Sequence, residues 1–478
     1  MFWRGVMGYL PVQIVQALAG FGAVIAFTRL LTPEAYGHYA LAYSVASLGQ
    51  ILFLTWNEAA TARFTAAEQN GTATHFRTVN QTAWVMIGVM LAVAGPLLLV
   101  LPVDRGLKLA IGAGVLAFSL KGALRVVMER MRAEGEVRGY AVVDVAITGG
   151  GFLAGMALAA AGWDEAAPLA GYGLLVAGCL AWFWPGQARR ARGGRFDTAR
   201  LKRNVSYGVP VALALVAATA LATADRFLIA AFLDGGSVGA YHAGYSVGNR
   251  ILDIIFVWLS LAGGPALVAA LERGGPEALT EAAREQGELL MWLALPAATG
   301  LALVAEPLVG ILVGPALREQ AAAVTPWIAV AAFFAGLHTH YFGQAFTLGR
   351  RTGQLVGVVA APALLSIGLN MVLLPRFGLV GAAWGTAASY AFGAALSAGL
   401  GRRILVLPVP WTALARAGLA SGVMTAAVLA LPAIGGWAEL LTKAAVGGAL
   451  YAVVLLALDG RLRARLRTLA PNLRGRLA

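Results

Sequence analysis

The sequence predicts an all-α, polytopic membrane protein of about fourteen transmembrane helices: two six-helix bundles plus two extra C-terminal helices. Three observations predict it. Of 478 residues, 59% are hydrophobic and 12% charged, roughly half the charged fraction of a soluble domain. The apolar residues come in long blocks, such as 80–101 and 438–458. About 20 apolar residues at about 1.5 Å per residue cross a hydrocarbon core of about 30 Å. Finally, Lys and Arg collect in alternate connections, as cytoplasmic loops require.

Taken in order, spans are expected near 8–30, 37–57, 80–101, 105–126, 138–161 and 167–187. A second set lies near 207–232, 239–270, 287–313, 322–346, 354–374 and 379–400, and a final pair near 411–434 and 437–458. The stretch 8–30 lacks the short apolar core and small-residue cleavage site of a signal peptide, so it reads as a retained first helix. The stretches 239–270 and 287–313 are long enough to leave the membrane or to tilt. With these spans, about four in five of the 36 Lys and Arg fall on one side, the side expected to be cytoplasmic. Both termini are then cytoplasmic and the number of spans is even. The net charge of +13 belongs to loops that lie against anionic lipid headgroups, and nucleic acid is not an expected partner. Cys179 is the only cysteine, which excludes an intrachain disulfide and a thiolate metal site; mid-span, it reads as a small apolar residue.

The chain also repeats itself. Residues 36–45 (YGHYALAYSV) align with 238–247 (VGAYHAGYSV), so Gly37, Tyr39, Tyr43, Ser44 and Val45 fall on Gly239, Tyr241, Tyr245, Ser246 and Val247. An even number of spans separates the copies, so the halves keep one orientation and form parallel repeats about the membrane normal. The expected boundaries are 1–190 for an N-terminal lobe, 205–402 for a C-terminal lobe, and 403–478 for two added helices and a basic tail. The basic linker 188–204 (ARRARGGRFDTARLKRN) joins the lobes. Glycine runs such as 149–155 (GGGFLAG) read as close-packing helix surfaces.

Three segments carry a resemblance: GYLPVQIVQALAGFGAVIAFTRLLTPEAYGHYALAYSV at 8–45, ADRFLIAAFLDGGSVGAYHAGYSV at 224–247, and NMVLLPRFGLVGAAWGTAASY at 370–390. In that order they resemble the bacterial polysaccharide (lipid-linked oligosaccharide, O-antigen) flippases. Those proteins belong to the multidrug/oligosaccharidyl-lipid/polysaccharide (MOP) exporter superfamily. The resemblance implies transport in surface polysaccharide biosynthesis, in the bacterial inner membrane. The substrate would be an undecaprenyl-pyrophosphate glycan, moved to the outer leaflet by alternating access of two lobes. Partners would be membrane lipids and, in the pathway, glycosyltransferases and a polysaccharide polymerase. Spans 13–14 would shape a groove for the lipid tail.

A pyrophosphate head wants arginine, whose planar fork matches it in pairs of hydrogen bonds. An ionised group inside a span costs at least about 2.5 kcal/mol and faces a wet cavity or a partner. Arg250, the one basic residue left inside a span, has Asp253 three residues on, on the same helix face. It is expected either to face substrate or to pair with Asp253. Arg63, with Glu58 and Asn57, lies at the cytoplasmic end of span 2. Asp225 and Arg226 in span 7 read as an ion pair or a contact to substrate, and Arg29 near Glu34 as interfacial or substrate-facing. Gln13 and Gln16 share a face of span 1. His338 and His340 point to different faces, which speaks against a metal site and leaves one as a proton acceptor.

No phosphate-binding loop, hydrolase triad or dinucleotide loop is present, so neither catalytic residues nor a cofactor are expected. Two rivals stay open. One is a cation-coupled multidrug exporter, which needs deep acids in the N-terminal lobe such as Glu58 or Asp144, or a peptidoglycan-precursor flippase of the same superfamily. The other is a membrane polymerase or glycosyltransferase, disfavoured by the short outer loops.

Overall fold

In hydrocarbon every backbone N–H and C=O must be satisfied within its own segment, which leaves the helix as the form available to these apolar runs. The computed structural model describes residues 2–68, 72–460 and 462–463, and the side chains of 2–14, 262 and 352 lie outside the description. No strand occurs among the described residues.

The helices are α1 (Phe2–Leu30), α2 (Pro33–Gln50), α3 (Trp56–Phe64), α4 (Thr72–Val100), α5 (Arg105–Ala133), α6 (Val137–Val145), α7 (Gly151–Ala160) and α8 (Ala167–Arg190). Then follow α9 (Thr198–Phe232), α10 (Gly235–Leu303), α11 (Ala305–Leu312), α12 (Pro315–Gly336), α13 (Gln344–Leu348), α14 (Thr352–Gly401), α15 (Trp411–Leu429) and α16 (Gly436–Leu458). Single π-helical turns join α2 to α3 (Ile51–Thr55), α6 to α7 (Ala146–Gly150) and follow α12 (Leu337–Phe342).

Among the described residues, 11 helical stretches are long and apolar enough to cross a membrane, and Val15–Leu30 is a shorter apolar one. Two of the stretches have two arms, because Gly275 (φ 70°) breaks α10 and Gly378 (φ 57°) breaks α14. A positive φ is open to glycine and strained for other residues. Pro276 then starts the second arm of α10, a place where its missing N–H is not needed. The long expected stretches 239–270 and 287–313 are accordingly the two arms of α10, with α11 extending the second.

Polar caps start the helices. Thr32 accepts from the Ala35 N–H at 3.2 Å, Asp104 from Leu107 at 2.9 Å, Asp197 from Ala199 at 2.8 Å and Asp234 from Ser237 at 2.7 Å. Thr32 and Asp234 occupy corresponding positions of the two repeat copies, so the duplication extends to the cap. The two starts also touch. A Cβ on Gly37 would sit 1.8 Å from the Gly235 carbonyl oxygen, and one on Gly239 would sit 2.6 Å from that of Pro33.

The chain divides into two units, 1–243 with 312–317, and 244–311 with 318–478. Helix α9 packs in the first unit, where Gly208 lets it lie on the backbone of Trp56, with room for no Cβ (2.0 Å to the carbonyl oxygen). Helices α15 and α16 pack in the second, where the Tyr451 hydroxyl donates to the Trp292 carbonyl at 2.8 Å.

In the first unit α5 is central, burying Ile111, Phe118, Leu124 and Met128 among residues of α2, α4 and α8. Glycines close the α7–α8 contact, with a Cβ on Gly171 meeting Gly155 N at 2.1 Å. Small residues are what bring membrane helices together, because lipid offers no apolar gradient. The surface is apolar instead: Leu99, Val100 and Trp182 are exposed. The basic linker is partly neutralised by protein acids. Arg190 pairs with Glu134 at 2.7 Å, Arg203 with Glu68 at 2.8 Å, and Arg200 with both Glu68 and Asp197. Burial pushes the Glu68 carboxyl up, but the hydrogen bonds and charges of Arg200 and Arg203 outweigh it and hold the carboxyl below its ordinary value.

Gly37→Ala should destabilise the protein by about 1–3 kcal/mol through overpacking, read as a lower thermal unfolding midpoint in detergent. Gly112→Ala, with nothing within 4 Å of the new Cβ, should leave the midpoint unchanged or raise it.

Candidate functional site

Each unit holds a polar cluster beside a π-helical turn. Such a turn holds one residue more than the helix needs and re-aims the side chains around it, often at functional sites. In the first unit, Gln50 immediately precedes the turn Ile51–Thr55, and Glu58 follows on α3. The Gln50 amide donates to the Glu58 carboxylate at 3.0 Å. Across from them, α5 presents Phe118, Lys121, Arg125 and Glu129 at three- and four-residue spacing, one face of one helix. Arg125 reaches Glu58 at 4.0 Å and Glu129 at 3.0 Å, and Arg132 reaches Glu129 at 3.4 Å. Asp144 precedes the second turn and accepts from the Gln16 amide at 2.8 Å.

The charges in this cluster alternate. Removing a lone ion from water costs several kcal/mol, and a neighbour of opposite sign offsets that cost. Arg125 keeps 27% of its side chain exposed, while Glu58 and Glu129 keep 8% and 6%, so Arg125 is shared by two buried carboxylates, with Arg132 adding to Glu129. Lys121 stands apart. Among the described residues its amine pairs with no carboxylate. It lies 4.5 Å from the centroid of the Phe118 ring and 5.9 Å from that of Tyr172, and Tyr43 packs edge-on against Phe118. Ring faces are weaker partners for an ammonium than an anion is. The group can therefore take an incoming phosphate, with aromatic faces beside it for an uncharged ring.

In the second unit, Asp253, Phe256 and Ser260 follow one another along one face of α10. Phe256 stacks on His340 (6.1 Å between centroids), and the Ser260 hydroxyl lies 3.0 Å from Nδ1 of His340. Asp253 is exposed and acts electrostatically on the same ring. His340 lies in the turn Leu337–Phe342. Arg250 is half-buried one turn before this face. Position 260 of the second repeat corresponds to Glu58 of the first.

Of the candidates named from sequence, Glu58 and Gln16 join the first cluster, and Arg250 and Asp253 lie along the second. The others are placed elsewhere. Asn57 is buried and donates to the Val79 carbonyl at 3.1 Å. Arg63 is exposed at the end of α3. Arg29 donates to the carbonyls of Ile25 and Leu312 at 2.8 and 3.0 Å. Asp225 accepts from the Tyr241 hydroxyl at 2.6 Å, and Arg226 donates to the Ala222 carbonyl at 3.1 Å. His338 is buried with Nδ1 2.7 Å from the Ser397 hydroxyl, so its ring serves the contact with α14. Gln13 lies outside the residues whose side chains are described.

Sequence reasoning missed Lys121, Arg125 and Glu129. Both cations fall inside or at the edge of the span expected at 105–126. Their spacing of four was the available signal, since it puts basic and acidic groups on one face of a helix that is otherwise apolar.

A family described as "Polysaccharide biosynthesis protein" matches residues 26–321. No curated protein matches by sequence. Among solved structures, the lipid II flippase MurJ in an inward closed conformation matches with a TM-score of 0.73 at 11% identity, over 93% of this chain and 97% of that one. An outward-facing multidrug resistance MATE family transporter of the MOP superfamily matches with a TM-score of 0.60 at 14% identity, over 83% and 93%. A MOP superfamily transporter from Pyrococcus furiosus, described as having a binding pocket of reversed polarity, gives 0.58 at 14% identity, over 84% and 93%. At these identities the likeness is one of fold: all are helical membrane transporters.

Removing Arg125 takes the ion-pair partner of Glu58 and leaves Glu129 with Arg132 alone. Arg125→Gln should therefore cost about 2 kcal/mol or more, and adding Glu58→Gln should restore part of it. Lys121→Gln breaks no ion pair, removing only a longer-range attraction to Glu58 and Asp144, and should cost less than that. Thermal unfolding of the purified variants checks the order.

Proposed function

Because the chain belongs to the polysaccharide biosynthesis family and has the fold of the MOP-superfamily transporters, we propose that it is a flippase for a lipid-linked oligosaccharide. It carries a polyprenyl-pyrophosphate glycan from the inner to the outer leaflet of a bacterial cytoplasmic membrane by alternating access, with both termini cytoplasmic. The observation that supports this substrate class is Lys121, a half-buried cation beside Phe118 and Tyr172 with no carboxylate in ion-pair contact among the described residues. The pyrophosphate supplies the missing negative charge, and a sugar ring lays its polarised C–H groups on the aromatic faces, whose quadrupole is negative. Arg125 is held by Glu58 and Glu129 and keeps the field near Lys121 positive without itself being free. Exposed Arg63 is a further contact for the head group in the first unit, and half-buried Arg250 is a substrate contact of the second unit by itself.

A drug-exporter reading asks for an acid free to take a cation. Glu58 and Asp144 are both hydrogen-bonded and packed among cations and amides, which favours the anionic substrate. The second reading, a lipid-linked peptidoglycan precursor, draws on the likeness to MurJ and uses the same head-group chemistry.

Depletion of the protein, with lipid-linked intermediates tracked by leaflet, separates these readings. Glycan-bearing lipid should accumulate in the inner leaflet while the cell wall continues to be made, and Lys121→Gln should fail to restore transport where Lys121→Arg restores it. Normal delivery of the glycan lipid to the outer leaflet would overturn the proposal. Arrest of wall synthesis would move it to the peptidoglycan precursor.

A further inference from the structure

We infer that His38, Asp104 and Glu165 form a divalent-cation site in the first unit. His38 lies on the first turns of α2, Asp104 caps α5, and Glu165 stands in the single turn Asp164–Ala166 before α8. One ligand atom from each lies within 4.8 Å of the other two. Nδ1 of His38 is 3.7 Å from the Glu165 carboxylate, and Nε2 is 3.4 Å from that of Asp104. Both separations exceed a hydrogen bond. The Nδ1–Glu165 separation approaches the spacing of two ligands on one ion, since bonds of about 2.0–2.2 Å at tetrahedral or octahedral angles put ligand atoms about 3.0–3.5 Å apart; Asp104 faces the other ring nitrogen.

Two further observations point to a ligand. His38 is only 8% exposed, and its Nδ1, aimed at Glu165, has no hydrogen-bond partner. A buried ring nitrogen left so pays the desolvation cost without return; a cation satisfies it. Gly106 makes room for the Glu165 carboxylate, because a Cβ there would lie 1.4 Å from its Oε1. An imidazole gives one nitrogen to a metal, and here that is Nδ1, with Glu165 beside it. Asp104 is half exposed, so its carboxylate turns to complete the set, and water fills the remaining positions. One nitrogen and two oxygens suit Zn²⁺ or Mn²⁺ better than Ca²⁺ or Mg²⁺, which prefer oxygen alone. The bound ion ties together the starts of α2 and α5 and the turn before α8. It acts on the folded state only and so stabilises it by mass action.

The test uses the full chain, purified in detergent without a histidine tag and stripped with a chelator. Mn²⁺ titration followed by electron paramagnetic resonance should show one tight ion per chain. Pulsed measurements on the loaded wild type should show coupling to one imidazole nitrogen. Binding should be lost in His38→Gln and Glu165→Gln, weakened in Asp104→Asn and kept in Asp164→Asn. The thermal midpoint should rise with Mn²⁺ in the wild type and not in His38→Gln. Absence of stoichiometric binding, binding without nitrogen coupling, or undiminished binding in His38→Gln would overturn the site. The wild-type spectrum decides the matter even where a variant fails to fold.

Discussion

A charge cannot stand alone in a protein surrounded by lipid, and the arrangement of α5 follows from that constraint. Arg125 lies between Glu58 and Glu129, close enough to each to offset their burial. Glu58 has no other ion-pair partner among the described residues, Glu129 has Arg132 besides, and Arg125 without the two acids would be an uncompensated ion in a low-dielectric setting. Gln50 completes the coordination of Glu58 from the other side of a π-helical turn. Once these groups satisfy each other, Lys121 is the cation of this face whose close partners are aromatic rings, with Glu58 and Asp144 acting on it from beyond ion-pair distance. A stable network and an available positive group are two consequences of one helix face.

The same economy governs the ends of the helices. Thr32 and Asp234 cap equivalent starts, and Gly37 and Gly239 let those starts approach to backbone contact. Hydroxyls buried along the spans return to their own carbonyls, as Ser44 does to Ala40 and Thr325 to Ala321. Glycine supplies close approach and left-handed breaks, at Gly171 and Gly275 for example. The chain thus meets lipid with apolar side chains and keeps its polar groups for one another.

Much of this was legible from residues alone. Apolar length and the sorting of Lys and Arg predict an all-helical membrane protein, and the aligned 36–45 and 238–247 mark segments that prove to be equivalent helix starts. The sites were less legible, for physical reasons. Sorting charges by side assigns every basic residue near a span end to a loop, so Lys121 and Arg125 were removed from the very helix that buries them. Arg29 donates to the Leu312 carbonyl, which only the fold brings near, and Arg226 to the Ala222 carbonyl one turn back on its own helix. His38, Asp104 and Glu165 are far apart in the chain, and no spacing rule joins them. Helix α9 follows the linker and looks like the start of the second half, but Gly208 seats it in the first unit.

Recognition of an anionic polyprenyl head through Lys121 is tested most directly by binding to the purified protein in lipid nanodiscs. A fluorescent polyprenyl-pyrophosphate saccharide should bind the wild type and Lys121→Arg, and be displaced by unlabelled polyprenyl pyrophosphate but not by the uncharged polyprenol. Lys121→Gln should bind it at least about tenfold more weakly, the loss of a single charge-assisted contact. Equal binding by Lys121→Gln and the wild type, or equal displacement by the alcohol and the pyrophosphate, would contradict the account.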